Sequence, residues 1–510
     1  MTATVTTEPE TRSLRRAWLS LLAVVLGILV VQLDGTVVAI ANPAIAADLG
    51  ADLAGIQWVT TAYLLVLAGL LIPAGNVADR IGRKKAFLIG VGGFSLASLL
   101  CGLAPNVELL VGARVLQAVF GALLGPAALA VVRAAFPPEK LPAAFGVFGS
   151  ASAIALGGGP LLGGVLVEYA SWQWAFFVNL PFGIVATAVG LLVLDESGER
   201  TRTPLDLPGA ATLTLALVSI IWGVTHVQPQ FVSWNGLGAL VLGLALLGAF
   251  IVIEHRSPHS MVPLELFGNR TFAVGSVLTA VTMVAFFAVL FYLTFFLQNA
   301  QGRTEIATAV ALLPLTLTFL VSSPAAGALS ARIGVRPTLV VGAAFIAGSL
   351  SLLLFLDVDS GVGLLAPALV LAGFGIGFLM MPAATVVIGS APVEQAGVVS
   401  GIQQSLQQLG STLGVAAFGS VLAATTTARL ATASSDPAVA AVLADPVVQQ
   451  GVQLGFGPAS AAGVPQQVVA EVTRIAHETF VAGVHTVFGV GVAVAVVAGV
   501  LALWVRTPAA

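Results

Sequence analysis

The chain has 510 residues, of which 58% are hydrophobic and only 8% are charged. This composition excludes a soluble protein of several domains, and the formal net charge of -3 gives no support for a nucleic-acid partner. A single cysteine, Cys101, excludes a disulfide framework and a thiolate metal cluster. Because backbone groups in lipid must be satisfied within helices, the sequence predicts an all-α polytopic membrane protein.

Apolar runs of about 20 residues recur along the chain, and this length suits helices that cross a membrane. Residues 1–16 precede the first run as a polar tail that is expected to be disordered. The first run lacks a small-residue cleavage site, so we expect it to be retained as a span. About fourteen spans are predicted, beginning near Ala17, Gln57, Ala86, Leu109, Ala143, Trp174, Gly209, Leu237, Phe272, Ile306, Thr338, Val362, Val398 and Val481.

The basic residues provide a test of this count, because Lys and Arg concentrate in loops on the cytoplasmic side. With the N-terminus inside, sixteen of the twenty basic residues fall in inner loops and tails. Arg303, Arg429 and Arg474 fall outside, and Arg114 lies within a span. The sequence therefore predicts a multi-pass membrane protein with both termini, including the tail 506–510, in the cytoplasm. The composition, rich in Ala, Gly and Val, is compatible with a high-GC bacterium, so we expect the membrane to be a bacterial cytoplasmic (inner) membrane.

The loop after span two is dense in charge and glycine. It reads GNVADRIGRKK over residues 75–85 and holds Asp79, Arg80, Arg83, Lys84 and Lys85. Gly75 and Gly82 permit tight turns and close helix contact, and an acid is favoured at a helix N-terminus. A simpler interpretation is a cluster of charges that only fixes the topology.

This loop has a weaker copy later in the chain, since residues 327–337 read GALSARIGVRP after span ten. Two six-span halves would place such a pair six spans apart, whereas these loops are eight spans apart. Spans seven and eight are therefore predicted to be an insertion. The predicted division is an N-terminal half 17–194, a linker with two inserted helices 195–257, and a C-terminal half 258–505 with a large outer loop 425–480. The end of that loop fits either a short amphipathic helix or a solvated connector.

Two ionisable residues lie within predicted spans: Asp34 in span one and Arg114 in span four. Such residues are costly in a membrane and are functional candidates by default. A rise of about 1.5 Å per residue places both in the outer half of the bilayer, at similar depth. Two interpretations stay open. The pair is either a proton switch, in which separation changes how tightly the acid holds a proton, or a static buried salt bridge.

These motifs resemble those of the major facilitator superfamily, and the fourteen-span count resembles its larger drug:proton antiporter family. The resemblance implies a major facilitator fold with two six-helix halves plus two inserted helices, and a secondary transporter rather than an enzyme. On the switch interpretation of the buried pair, Asp34 is expected to carry the proton and Arg114 to tune it. The loop 75–85 resembles the superfamily's cytoplasmic latch, which implies that role for Gly75, Asp79, Arg80, Gly82 and Arg83.

Span five, FGVFGSASAIALGGGPLLGG over residues 145–164, resembles a motif that tends to mark antiporters in this superfamily. The residues that carry the resemblance are Gly146, Gly159, Pro160, Gly163 and Gly164. Glycines on adjacent turns let another helix pack closely, and proline removes a backbone donor. Generic packing of membrane helices also explains these glycines, so both interpretations stay open.

Polar residues recur at helical spacing in span thirteen, GVVSGIQQSLQQLGSTLG over residues 397–414. A polar stripe in a membrane faces either a water-filled cavity or another helix, and we favour the cavity. Span four adds a glutamine that resembles part of an Arg-x-x-Gln-Gly motif. The candidate residues for a substrate cavity are therefore Gln117, Gln403 and Gln407.

The resulting hypothesis is a proton-coupled antiporter that exports amphipathic small molecules such as drugs, dyes or antibiotics. We expect a monomer in the lipid bilayer, driven by the proton gradient without a cofactor or metal, with neutral or weakly charged lipophilic substrates. Two alternatives remain: a proton-coupled importer of a metabolite on the same fold, and a membrane receptor or assembly partner that transports nothing.

Overall fold

The computed structural model describes residues 8–137, 140–195, 206–226, 234–257, 262, 264–390, 396–456 and 466–505. Every secondary-structure element within these ranges is helical. The helices are α1 (Glu8–Leu49), α2 (Leu53–Ile81), α3 (Arg83–Gly102), α4 (Val107–Ala135), α5 (Leu141–Tyr169), α6 (Trp174–Phe177), α7 (Asn179–Val193), α8 (Leu207–His226), α9 (Trp234–Arg256), α10 (Arg270–Phe295), α11 (Glu305–Ile333), α12 (Val335–Leu353), α13 (Val362–Gly389), α14 (Ala396–Leu430), α15 (Pro437–Leu443), α16 (Pro446–Gln453) and α17 (Gln466–Ala502).

The long helices follow the predicted spans closely. Within the described part of the chain, twelve helices are long and apolar enough to cross a membrane. Helices α5 and α8 are not among these twelve, but they occupy the positions of predicted spans five and seven. The apolar part of α8, Pro208–Val224, is shorter than the twelve spans. The all-helical membrane fold is therefore confirmed, whereas the count of fourteen spans stays a prediction.

The structure differs from the prediction at both ends of the chain. Helix α1 begins at Glu8, so part of the tail that was expected to be disordered is helical. Helix α17 begins at Gln466 rather than near Val481, and the predicted amphipathic segment forms its first turns. The physical reason is that the sequence holds neither Gly nor Pro between Gln466 and Ala482, so nothing interrupts the helix.

The repeated loops have the same backbone geometry. Gly82 separates α2 from α3 with φ of 100°, and Gly334 separates α11 from α12 with φ of 93°. Both values lie in the region that favours glycine. In each turn the glycine N–H donates to the carbonyl four residues earlier, at 3.1 Å to Ala78 and 3.0 Å to Ser330. This agreement supports the internal repeat that the sequence predicts, although the exact domain boundaries stay a prediction.

The helices form two groups with a pair between them. Helices α1 to α7 pack together, and α10 to α14 pack with α17. Helices α8 and α9 pack against each other, and α8 also contacts α2 and α14. The two groups meet where α2 packs on α14, α5 on α11, and α1 on α10. We call the end of the bundle that holds Gly82 the loop end, and the opposite end the far end.

Candidate proton and substrate site

Asp34 of α1 and Arg114 of α4 form an ion pair in the middle of the first helix group. The Nη1 atom of Arg114 contacts the Oδ2 atom of Asp34, and both side chains are at most 1% exposed. Because a lone buried charge is very costly, each residue requires the other. The structure thus brings together the two charges that the sequence predicts to lie at the same depth.

Two amides complete the surroundings of the carboxylate. Gln117 Nε2 and Asn179 Nδ2 donate to Asp34 Oδ1 at 2.9 and 3.2 Å. Arg114 Nη1 also donates to Gln117 Oε1 at 2.6 Å, and its Nε donates to the carbonyl of Val59 at 3.0 Å. Every partner of Asp34 found in the described chain is a donor, so its carboxylate oxygens accept from Arg114, Gln117 and Asn179.

The network extends through Ser98 of α3 to α6 and the start of α7. Ser98 Oγ accepts from Gln117 at 3.2 Å and from Asn179 at 2.9 Å, and it donates to the carbonyl of Phe176 at 2.9 Å. Gln117, which the sequence suggests for the substrate cavity, is fully buried within this network. Sequence reasoning assigned no role to Ser98 or Asn179, although an asparagine inside an apolar segment was an available signal.

Aromatic rings enclose the guanidinium of Arg114. Its central carbon lies 4.0 Å from the ring centroid of Tyr63 and 5.7 Å from that of Phe176. Phe94 packs edge-on against Tyr63, with 6.3 Å between the ring centroids. A cation over an aromatic face is attracted by the ring quadrupole, so these rings stabilise Arg114 while they exclude water.

A cavity lies beside the ion pair. Its empty volume is about 500 Å³, a value that includes space open to solvent. Five helices line it: α1, α2, α10, α13 and α14. The cavity therefore borders both helix groups. Its walls hold uncharged residues throughout: Val31, Gln32, Gly35, Thr36, Tyr63, Leu64, Leu67, Met283, Phe287, Met380, Gln407, Gln408 and Ser411.

The polar stripe predicted in span thirteen lies on α14, and its residues fall in two different environments. Gln407 and Ser411 line the cavity. A role of Gln407 in substrate binding stays a prediction. Gln403 is 7% exposed and is not among the lining residues. Gln404 instead lies against α4, where its Oε1 atom would be 2.9 Å from a Cβ added at Gly125.

The glycines of α5 make close helix contacts. A Cβ added at Gly159 would lie 1.8 Å from Thr36 Oγ1 of α1. A Cβ at Gly163 would lie 3.0 Å from the carbonyl oxygen of Val37. Only glycine lets the helices approach this closely at these positions.

Gly164 makes the corresponding contact with the second helix group. A Cβ there would lie 2.8 Å from the carbonyl oxygen of Glu305 in α11. Pro160 is buried within α5, and Gly146 lies nearer its start. The motif therefore places α5 between α1 and α11, and its meaning for antiport stays a prediction.

The predicted latch surrounds the turn between α2 and α3. Gly75 faces α4, where an added Cβ would lie 3.5 Å from Pro126. Arg80 lies in the last turn of α2 and Arg83 is the first residue of α3, on either side of Gly82. These positions fit close packing and a tight turn, and the role of a latch stays a prediction.

Other basic residues at the loop end bind the end of α7. Lys84 Nζ donates to the carbonyl of Leu191 at 3.2 Å. Arg16 of α1 donates to the carbonyl of Val193 at 3.0 Å and pairs with Asp195 at 2.6 Å. The side chain of Asp79, a predicted latch residue, lies outside the described part of the structure.

Hydrogen bonds join the two helix groups at the far end. Gln57 Nε2 of α2 donates to the hydroxyl of Tyr292 in α10 at 3.1 Å, and that hydroxyl donates to the carbonyl of Val415 in α14. We call these three residues the far-end clamp. Sequence reasoning did not find it, because a tyrosine in an aromatic-rich span is typical of packing.

Two further bonds reinforce the same end. Gln298 Nε2 donates to the carbonyl of Ile40 in α1 at 3.2 Å. The backbone N–H of Ile306, at the start of α11, donates to Glu168 Oε2 of α5 at 2.7 Å. Hydrogen bonds at the far end therefore link α1, α2 and α5 of the first group to the second group.

The comparisons with known proteins agree with this geometry. Residues 24–415 match the family model described as Major Facilitator Superfamily. The chain belongs to this superfamily. The resemblance drawn from the sequence motifs is thus confirmed, and the protein is a multi-span secondary transporter rather than an enzyme.

Curated relatives match over most of their length. The chain is 37% identical to the tetracenomycin C resistance and export protein of Streptomyces glaucescens, covering 96% of this chain and 92% of the relative. It is 37% identical to a puromycin resistance protein of Streptomyces alboniger, covering 83% and 85%. It is 33% identical to the multidrug resistance protein Stp of Mycobacterium tuberculosis, covering 92% and 88%.

Solved structures support the fold. A bacterial homologue of the human lysosomal transporter Spinster, in an inward-facing and unoccupied conformation, matches with a TM-score of 0.64 at 17% identity. The match covers 97% of this chain and 99% of that one. Among the described residues, no group of three or more His, Cys, Asp or Glu side chains is placed to hold a metal ion.

Proposed function

We propose that this transporter exports lipophilic, antibiotic-type small molecules across a bacterial cytoplasmic membrane in exchange for protons. The observation that carries the proposal is a buried ion pair of Asp34 and Arg114 beside a cavity with uncharged walls. Relatives named for resistance to or export of tetracenomycin C, puromycin and multiple drugs support the direction and the substrate class.

Asp34 is proposed to carry the proton. Protonation would neutralise its charge and leave Arg114 without a counter-charge in the membrane interior. It would also turn an acceptor into a donor that faces the amide donors of Gln117 and Asn179. Proton binding would therefore rearrange this network.

Proton binding and conformation are linked for a second reason. Asp34 is fully buried in this structure, so a proton reaches it only in a conformation that exposes it. Rocking of one helix group against the other would provide that exposure. The far-end clamp holds the groups together at one end, and the loop 75–85 is proposed to hold the loop end closed in the opposite conformation.

The cavity walls indicate the substrate class. Apolar side chains such as Leu64 and Phe287 alternate with amides and hydroxyls, and no charged side chain lies among the lining residues. Such walls favour an uncharged lipophilic molecule with a few hydrogen-bonding groups. We expect the transporter to act as a monomer, with both termini in the cytoplasm and the proton gradient as its energy source.

Inside-out membrane vesicles test the proposal. With an acid interior, vesicles that contain the wild-type protein are expected to accumulate uncharged aromatic antibiotics, and a protonophore is expected to abolish accumulation. Asp34→Asn should remove this uptake, while Asp195→Asn, at an exposed ion pair, should keep it. Uptake that does not depend on the proton gradient would contradict proton coupling. Movement of substrate out of the vesicles, driven by the gradient, would identify an importer. Preferential transport of dications would contradict the substrate class.

A further inference from the structure

Tyr63 of α2 contacts the two features on which the proposed function rests. Tyr63 is among the residues that line the cavity. The face of its ring lies 4.0 Å from the guanidinium carbon of Arg114. A single side chain therefore connects the space for substrate with the ion pair.

The hydroxyl of Tyr63 is buried and has no hydrogen-bond partner among the described residues. Buried polar groups in native proteins are almost always paired, so an exception requires an explanation. The contrast with Tyr292 is direct, because that equally buried hydroxyl bonds to both Gln57 and Val415. A phenylalanine would fill the position of Tyr63 without an unpaired group. We therefore attribute its hydroxyl to a partner that is bound only part of the time.

The ring of Tyr63 is fixed by its neighbours. Phe94 packs edge-on against it, and Arg114 is held on its face by bonds to Val59 and Gln117. A ligand that bonds the hydroxyl thus restrains the ring on which Arg114 lies. Movement of the ring would change the position of the guanidinium relative to Asp34.

We propose that Tyr63 hydrogen-bonds the substrate through its hydroxyl and positions Arg114 through its ring, so that cavity occupancy affects the ion pair. This inference rests on the proposed function. The ligand chemistry is an uncharged aromatic molecule that carries a carbonyl or phenol oxygen. Gln32 and Gln407 provide further uncharged hydrogen-bonding groups in the same cavity.

Two probes of similar ring shape test the hydroxyl. Purified protein is titrated with dihydroxyanthraquinone, which carries oxygens, and with anthracene, which carries none. The wild type should bind the anthraquinone more tightly. Tyr63→Phe should weaken anthraquinone binding about three- to tenfold, the effect of losing one neutral hydrogen bond, and leave anthracene binding unchanged. Equal affinity of the wild type for the two probes, or unchanged anthraquinone binding by Tyr63→Phe, would overturn the proposed contact.

A second measurement tests the ring. Protons released per anthraquinone bound are followed with a pH-sensitive dye in weakly buffered solution. Tyr63→Phe keeps the ring but removes the hydroxyl that joins it to the ligand, so it should lower the ratio. Tyr63→Leu also removes the ring and should lower the ratio at least about threefold. Phe345→Leu is the matched control, because it removes a ring of α12 that packs against Phe374 and Phe378 and does not line the cavity, and it should keep the ratio. A normal ratio in Tyr63→Leu would overturn the positioning role.

The outcomes separate this inference from the proposed function. Binding of the two probes requires neither a gradient nor transport. It compares the wild type with Tyr63→Phe, so it tests the hydroxyl even if Tyr63→Leu does not fold. Suppose that the wild type transports when a proton gradient is applied, and that Tyr63→Phe binds the anthraquinone with wild-type affinity. This result would overturn the inference and leave the proposed function intact. A wild-type protein that binds the anthraquinone and releases no proton would overturn the proposed function.

Discussion

The two helix groups differ most where the repeat makes them equivalent. The repeated turns at Gly82 and Gly334 relate α1 to α10 and α4 to α13. Helices α1 and α4 hold the buried charges Asp34 and Arg114. Helix α13 contains no Asp, Glu, Lys or Arg along its 28 residues, and the charged residue of α10 is Arg270 at its first position.

Aromatic packing replaces the ion pair in the second group. The rings of Phe286 and Phe287 lie 5.3 Å apart between centroids, and those of Phe291 and Phe295 lie 5.2 Å apart. Such contacts respond little to protonation, whereas a buried ion pair changes its charge. The comparison teaches that the two groups differ in chemistry: the proposed response to protons belongs to the first group, and the second supplies an apolar wall.

The largest effect should come from removing the charge of the first group. Asp34→Asn leaves Arg114 buried without a counter-charge, which costs about 3–5 kcal/mol of stability, and it should abolish coupled export. Thermal unfolding and vesicle transport measure the two effects. Asp195→Asn breaks an exposed pair and should cost less than about 1 kcal/mol. Export at the wild-type rate by Asp34→Asn would contradict the assignment of the proton carrier.

Removing both charges makes the first helix group resemble the second, which has no buried ion pair between α10 and α13. The double variant Asp34→Asn with Arg114→Gln avoids an unpaired buried charge, so it should be more stable than Asp34→Asn alone. Coupling should remain absent in transport measurements. Additive losses of stability in the two single variants and the double variant would show that the residues do not interact as the structure indicates.

A smaller effect is expected where the two groups touch. Gly164→Ala places a Cβ 2.8 Å from the carbonyl oxygen of Glu305, and overpacking of this kind costs about 1–3 kcal/mol. The unfolding temperature and the transport rate should both fall. Gly158→Ala is the matched control, since no atom outside its own helix lies within 4 Å of an added Cβ. Equal effects of the two substitutions would argue against close contact between α5 and α11.

The smallest effect should be at the wall of the cavity. Gln407→Ala removes one uncharged hydrogen-bonding group and should raise KM about two- to tenfold, with little change in the maximal rate. Gln403→Ala, on the same helix and outside the lining, should leave KM unchanged. Transport at varied substrate concentrations distinguishes them, and a larger KM effect at Gln403 would place the substrate elsewhere.

The ion pair itself could be predicted from the sequence. Helix rise and the opposite directions of spans one and four place Asp34 and Arg114 at one depth, and the structure joins them. Gly82 and Gly334 were likewise predictable, because the loop motif repeats around them and a tight turn favours glycine.

The partners of the ion pair were not predictable in the same way. Ser98 and Tyr63 lie in apolar runs, where a single polar or aromatic residue is typical of packing. Their contacts depend on how α2, α3 and α7 pack around α4, and spacing along one helix does not reveal this. For the same reason Gln117 and Gln407, both predicted for the cavity, lie in different places.

Proton release on substrate binding tests the central claim most directly. Purified wild-type protein and Asp34→Asn are placed in weakly buffered detergent solution with a pH-sensitive dye, and saturating dihydroxyanthraquinone is added. The account predicts that the wild type releases protons and that Asp34→Asn releases none. Equal release from both proteins, or no release from a wild type that binds the compound, would contradict it.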